Sequence, residues 1–121
     1  MILVDTSVWV AHLRAGDRRL AAELNAGSVC VHPFVIGELA CGNIRNRQAV
    51  LALLDELATL PVATDAEART FIEKRALMAR GIGYVDVHLL ASASLSGTSR
   101  LWSRDRKLSA VAADLGLGYP E

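Results

Sequence analysis

The chain has 121 residues with 13 basic and 13 acidic side chains, so its formal net charge is zero. This length suits a single domain, predicted to span residues 1–121, and the hydrophobic share of 52% excludes a disordered chain. Neutrality argues mildly against nucleic acid as a partner, because proteins that bind phosphates are usually basic. The N-terminus lacks a basic leader and no apolar run is long enough to span a bilayer, so we predict a cytoplasmic protein without membrane contact.

Short apolar runs alternate with helical patterns along the chain, and turn residues separate them. Pro33 suits the first turn of a helix, where its missing N–H does no harm, and residues 64–67 have the form of a capping box. In chain order, the predicted elements are a strand at 2–5, helices at 6–13 and 18–26, a strand at 28–32, helices from 33 and at 48–60, a strand at 61–63, helices at 64–80 and 85–96, a strand at 100–103, a helix at 105–115 and a last strand at 117–119.

This alternation of strand and helix predicts an α/β fold with a short, mostly parallel sheet of four or five strands, covered by helices on both faces. In such sheets, ligands bind beyond the carboxyl ends of the strands, where the strand order reverses. The residues that follow the first, second and fourth strands are therefore the first candidates for a functional site.

Four acids follow these strands or lie on helices that begin at the same edge. Asp5 ends the first strand and Asp105 lies just beyond the fourth, where each could equally cap the following helix. Glu38 and Asp86 lie within helices, on faces that they share with apolar residues three and four positions away. Because an unpaired buried carboxylate is strongly unfavourable, each helical acid needs a cation, which is either an arginine or a shared metal ion.

Taken together, the four acids favour the metal ion. Converging carboxylates repel one another, and a divalent cation removes that repulsion. Mg²⁺ and Mn²⁺ prefer carboxylate and water oxygens, and a bound ion can activate water for attack on a phosphodiester. No histidine has a partner at metal-ligand spacing or suits the role of general base, so water activation would depend on the metal and the carboxylates.

Four motifs carry a resemblance to a known family. Residues 4–7 (VDTS), 35–39 (VIGEL), 86–93 (DVHLLASA) and 101–105 (LWSRD) resemble, in order and spacing, the four motifs of PIN-domain nucleases. The similarity covers essentially the whole chain and departs from the usual pattern at Ser103, where threonine is commoner. The single-domain length resembles that of the VapC-type toxins in this family.

The resemblance implies an endoribonuclease that cuts RNA by attack of a metal-activated water, leaving a 5′-phosphate and a 3′-hydroxyl. The residues it implies as ligands of Mg²⁺ or Mn²⁺ are Asp5, Glu38, Asp86 and Asp105. It also implies a VapB-like antitoxin, which inserts a chain segment near the acids, and a homodimer. Hydroxyl residues that could orient the acids or a metal-bound water are Thr6, Ser7 and Ser103, although Ser7 could equally cap a helix. Arginines that could grip RNA phosphates, or lie on an ordinary solvated face, are Arg14, Arg18, Arg19, Arg45 and Arg47.

Several alternatives stay open. A housekeeping RNA-processing nuclease of the same fold would use the same acids, and a PIN-like binding domain without catalysis is disfavoured because all four acids are present. A phosphorylation-switched receiver domain is disfavoured because its mid-chain acid, Asp55, would lie inside a helix instead of at a strand end. Trp9, with Val8 and Leu13, is either part of the core or part of a surface that takes up an antitoxin helix.

Overall fold

The structure is a computed structural model that describes residues 1–121. The four strands are β1 (Ile2–Val4), β2 (Val29–Val31), β3 (Ala58–Thr59) and β4 (Arg100–Trp102). The seven helices are α1 (Thr6–Ala15), α2 (Arg18–Asn25), α3 (Pro33–Ala40), α4 (Arg47–Glu56), α5 (Asp65–Arg75), α6 (Tyr84–Ser96) and α7 (Arg106–Asp114). None of these helices combines the length and the apolar composition that crossing a membrane requires.

The strands form one sheet in the order β3-β2-β1-β4, and every pairing is parallel. Ile2 in the central strand pairs with Val29 on one side and with Arg100 on the other. All residues of β1 and β2 are buried, and because successive side chains point to opposite faces, both faces of the sheet are covered. The predicted α/β class with a short parallel sheet is confirmed. The order reverses between β1 and β4, so this is the switch point at which a ligand site is expected.

The core surrounds the sheet and the middle of α6. Residues 87–93 are all buried, as expected for a helix that is covered on every side, and α6 contacts both α5 and β4. Trp9 is only 2% exposed and Val8 is fully buried, so both belong to the core. The alternative that Trp9 forms part of a partner-binding surface is therefore wrong.

Three predicted boundaries are wrong. Helix α4 ends at Glu56, because the backbone is extended at Leu57. The third strand therefore lies at Ala58–Thr59, where it pairs with β2, instead of at 61–63. Pro61 has no N–H to donate to a neighbouring strand. Helix α5 ends at Arg75 instead of about residue 80, because Ala76 adopts a left-handed conformation (φ 52°) that turns the chain so that Leu77 is buried.

The predicted last strand at 117–119 is reduced to a single parallel bridge between Leu101 and Gly118. Two backbone hydrogen bonds hold this segment: the Leu101 N–H donates to the Leu117 oxygen at 2.7 Å, and the Tyr119 N–H donates to the Leu101 oxygen at 2.9 Å. The segment therefore covers the outer edge of β4 without extending the sheet.

Candidate active site

The four predicted acids start from the same edge of the sheet. Asp5 directly follows β1 and is the N-cap of α1, and Asp105 is the N-cap of α7 just beyond β4. Glu38 lies on α3, which begins two residues after β2, and Asp86 lies in the first turn of α6. Because β1, β2 and β4 are parallel, their carboxyl ends meet at this edge, as predicted.

The charge environment of Asp86 shows that the acids converge. Burial raises the pKa of Asp86 above its ordinary value, and the negative charges of Asp5, Asp105 and Glu38 raise this pKa further. A hydrogen bond from the Gly83 backbone N–H acts in the opposite direction and lowers it. The other three acids are therefore close enough to Asp86 for their charges to act on it, although no three of the four stand close enough together to hold one ion as they are.

Each of the four acids uses one carboxylate oxygen for a hydrogen bond within the protein and leaves its other oxygen without a protein donor. Such half-used carboxylates can still accept a cation or a water molecule. The bonds are from the Ser7 and Ser103 hydroxyls to Asp5 Oδ2 (2.8 and 2.7 Å), from the Thr6 hydroxyl to Glu38 Oε1 (2.7 Å), from the Gly83 N–H to Asp86 Oδ2 (3.1 Å) and from the Leu108 N–H to Asp105 Oδ1 (2.9 Å).

No arginine or lysine neutralises these acids. The three ion pairs of the structure are Arg80 with Asp114, Arg104 with Asp17 and Arg104 with Glu121. Arg104 precedes Asp105 in the chain, yet its guanidinium is directed towards Asp17 and Glu121. The arginine alternative that the sequence left open is therefore excluded for all four acids.

The expectation that the helical acids lie on buried faces holds only in part. Asp5 is buried (6% exposed) and Asp86 is half-buried, but Glu38 and Asp105 are exposed. The apolar stripe of α3 turns Val35 and Leu39 into the core and leaves Glu38 at the solvent-facing side. Because Glu38 is exposed, its carboxylate needs no cation to compensate for burial, and the expectation is wrong for this residue; its hydrogen bond from Thr6 ties it to the site.

Two serine hydroxyls connect Asp5 to the segment that follows β4. Ser103 donates to Asp5 Oδ2 and accepts a hydrogen bond from the Asp105 N–H at 3.0 Å. Ser7 donates to the same oxygen of Asp5 and accepts from the Arg104 N–H at 3.0 Å. One oxygen of the Asp5 carboxylate thus accepts two hydrogen bonds, which set the direction of the other oxygen.

Ser103→Ala is expected to lower RNA cleavage by about 10- to 100-fold, the usual effect of removing a side chain that only orients a metal ligand. Asp5 would then keep one hydroxyl donor in place of two, and the Asp105 N–H would lose its acceptor. Ser103→Thr, which keeps the hydroxyl, is the control and should stay near the parent rate. Initial rates on one RNA substrate measure the effect, and equal rates for Ser103→Ala and the parent would contradict it.

Of the five arginines predicted as RNA contacts, two are engaged elsewhere. Arg19 donates to the Tyr119 hydroxyl and to the Pro120 oxygen, both at 2.9 Å, and so holds the C-terminal segment. Arg47 donates to the Ala40 oxygen at 2.6 Å and to the carbonyl of residue 42, at the end of α3. These guanidinium groups satisfy backbone acceptors that a helix end or tail would otherwise leave open.

The remaining three arginines are exposed, and two of them line a groove together with one of the acids. Arg14 and Arg45 line a groove of about 540 Å³ together with Glu38. Arg18 lies at the start of α2, away from that lining. Of the five predicted arginines, Arg14 and Arg45 are therefore the two that share a groove with an acid of the site.

The sequence prediction missed a group of rings beside the acids, the aromatic group, formed by His32, Phe34, Tyr84 and His88. It also missed the hydrogen bond that holds Asp86 at its helix start. Both left signals in the sequence: the helices of Glu38 and Asp86 each have an aromatic residue in the first turn, and the Gly-x-x-Asp spacing at 83–86 is that of a helix-start bond.

Comparison with known proteins shows the family to which this chain belongs. The family model described as PIN domain matches residues 2–114, so the chain belongs to the PIN domain family. The chain is also similar to two proteins named Ribonuclease VapC32, from Mycobacterium tuberculosis strains CDC 1551 / Oshkosh and ATCC 25618 / H37Rv. Each is 48% identical over 121 residues, which cover 100% of this chain and 98% of the relative. The predicted class, a PIN-domain ribonuclease of the VapC type, is confirmed.

Proposed function

We propose that this chain is an endoribonuclease toxin of a VapBC-type module, acting as one catalytic unit over residues 1–121 in the cytoplasm. It hydrolyses RNA phosphodiester bonds with Mg²⁺ or Mn²⁺, held by Asp5, Glu38, Asp86 and Asp105. One observation carries the proposal: four acids at one sheet edge each keep a free carboxylate oxygen and have no basic partner. The similarity to proteins named ribonucleases supports the enzyme class.

The donor set fits a hydrated divalent ion better than a closed metal cage. No three His, Cys, Asp or Glu side chains stand close enough together to coordinate one ion as they are. Mg²⁺ commonly takes only one or two protein carboxylates and keeps several waters, so a looser ring of carboxylates suits it. The proposed donor atoms are all carboxylate oxygens, which suit a hard cation better than softer metals.

In the proposed mechanism, the protein's own side chains orient the carboxylate ligands and attract the RNA backbone. Ser7 and Ser103 fix the direction of the free Asp5 oxygen, and Thr6 does the same for Glu38. Arg14 and Arg45 attract the RNA backbone on the Glu38 side of the site. When bound, the divalent ion supplies an activated water and neutralises charge on the phosphate.

A stability experiment tests the metal site without using activity. Burial and the charges of three neighbouring acids disfavour the charged form of Asp86. In EDTA, Asp86→Asn should therefore unfold at a higher temperature than the parent protein. Mn²⁺ should raise the unfolding temperature of the parent and raise that of Asp86→Asn much less, because a ligand stabilises the state that binds it. Asp55→Asn, an exposed position on α4, is the matched control and should follow the parent in both conditions. If neither Mg²⁺ nor Mn²⁺ changed the unfolding temperature of the parent, the proposal would be contradicted.

We further propose a VapB-like antitoxin that binds the groove beside Glu38. An amphipathic segment suits this groove, because its lining mixes apolar and charged side chains. The lining residues are Val10, Leu13, Arg14, Glu38, Leu39, Gly42, Asn43, Ile44 and Arg45. A small protein encoded directly upstream should bind the chain and inhibit its RNA cleavage. If no such protein inhibits it, the alternative of a housekeeping RNA-processing nuclease is favoured.

A homodimer is also proposed, because several large apolar side chains remain exposed, among them Leu53 and Met78. Light scattering should then give twice the chain mass of 13.0 kDa. A mass of one chain at micromolar concentration would contradict the dimer and leave the nuclease proposal intact.

A further inference from the structure

Two exposed aromatic residues lie at the start of the helices that carry Glu38 and Asp86. Phe34 is in the first turn of α3, four residues before Glu38, and Tyr84 is the first residue of α6, two residues before Asp86. They are 38% and 43% exposed, and they are the only aromatic residues among the exposed large apolar residues. Both therefore present ring surface to solvent close to the acids.

The two rings are held in position by the rest of the aromatic group. Each packs edge-to-face against buried His88, with ring centroids 4.9 Å apart for Phe34 and 4.6 Å apart for Tyr84. Phe34 also packs against His32 at 4.9 Å, and the Tyr84 hydroxyl donates to Asp65 on α5. The arginines that lie over aromatic rings in this protein cover other rings. The Phe34 and Tyr84 rings are thus ordered but uncovered.

We propose that Phe34 and Tyr84 form a stacking platform for an unpaired base of the RNA and so place an adjacent phosphodiester at the acids. This inference rests on the proposed ribonuclease function and assigns two positioning residues to it, which would contact a base in a single-stranded segment, loop or bulge. Unpaired bases stack on exposed aromatic side chains, whereas bases inside a duplex are already stacked on one another. The net charge of zero also favours base stacking as a source of affinity, because a neutral chain gains little affinity from general attraction to phosphates.

The test compares Phe34 variants on RNA that is not consumed. A labelled, short, random-sequence single-stranded RNA pool is titrated in Mg²⁺ with the Asp5→Asn protein, in which cleavage is expected to be slow. Removal of one stacking ring by Phe34→Ala should weaken binding by about tenfold. Phe34→Leu keeps apolar bulk without a ring and should weaken binding similarly, whereas Phe34→Trp should restore it. Binding of a duplex of the same length should be unchanged by all three.

Tyr84 gives a second, independent series. Tyr84→Phe keeps the ring and should bind single-stranded RNA as the parent does, and Tyr84→Ala should bind it more weakly. Leu95→Ala is the matched control, since Leu95 is 50% exposed on the same helix but lies near its far end. An RNA with a fluorescent adenine analogue should lose emission on binding the parent and Phe34→Trp, but not on binding Phe34→Leu. Unfolding temperatures establish that each variant is folded.

The outcomes separate this inference from the function on which it rests. A parent protein that neither binds nor cleaves any RNA overturns both. A parent that cleaves RNA, together with equal single-strand binding by parent and Phe34→Ala, overturns the platform alone. Equal binding by Phe34→Leu and Phe34→Trp also overturns it, because that result describes an apolar surface that docks a protein and not a base.

Discussion

Asp5→Asn is expected to lower RNA cleavage in Mg²⁺ or Mn²⁺ by at least about 100-fold, because even residues that only support a metal ligand contribute 10- to 100-fold. Asp5 lies at the switch point between β1 and β4 and is the most buried of the four acids. The amide loses the negative charge that would hold a cation. Its oxygen can still accept the hydrogen bonds of Ser7 and Ser103, so the fold should be kept.

The measurement is the initial cleavage rate of purified protein, free of any antitoxin, on structured RNAs. Asp55→Asn removes the same charge from the exposed face of α4 and should cleave like the parent. EDTA should abolish cleavage by the parent and by this control alike. Equal cleavage by Asp5→Asn and the parent, or cleavage that survives EDTA, would remove the metal mechanism.

The second large effect is expected in acid, where the folded protein should lose stability because of His32. This side chain is fully buried, and burial, with a smaller contribution from His88, lowers its pKa from 6.5 to about 4. Its Nδ1 accepts the Phe34 N–H at the start of α3, and its Nε2 has no partner. A proton on this ring therefore has no compensating acceptor in the folded state.

The direction of the pH effect follows from comparing the protonation of His32 in the folded and the unfolded chain. Above pH 6.5 His32 is neutral whether the chain is folded or unfolded, so it has no effect. Between pH 6.5 and about 4 only the unfolded chain takes up the proton, so the free energy of unfolding falls as the pH falls. At 1.36 kcal/mol per pKa unit, the complete loss is about 3 kcal/mol, reached below the folded-state pKa.

Urea unfolding between pH 7.5 and pH 4 measures this loss. His32→Asn is the comparison, because asparagine can still cap α3 but does not titrate. The variant should start less stable at pH 7.5, since it leaves unfilled space, and should lose less stability on acidification. Parallel pH profiles for the two proteins would contradict the assignment to His32.

The positions of the four acids could be predicted because they depend on local patterns. The apolar run at 2–4 and the pair Leu101–Trp102 are too short to be helices, and an acid soon after such a strand falls at the ligand-binding edge of a parallel sheet. The exposure of Glu38 could not be predicted, because an apolar stripe on α3 is wider than the face that the core covers. The end of α5 could not be predicted either, since nothing local marks Ala76 for a left-handed conformation.

The sequence by itself determined the class of fold, the order of its elements and the identity of the acids at the sheet edge, because strand and helix periodicity is a property of neighbouring residues. Only the tertiary structure decided which oxygen of each acid is free, that no arginine reaches them, and that Ser103 lies beside Asp5. Asp5 and Ser103 are brought together by the pairing of Val4 with Trp102, almost a full chain length apart. Contacts of this kind depend on how the strands are ordered in the sheet, which no local pattern encodes.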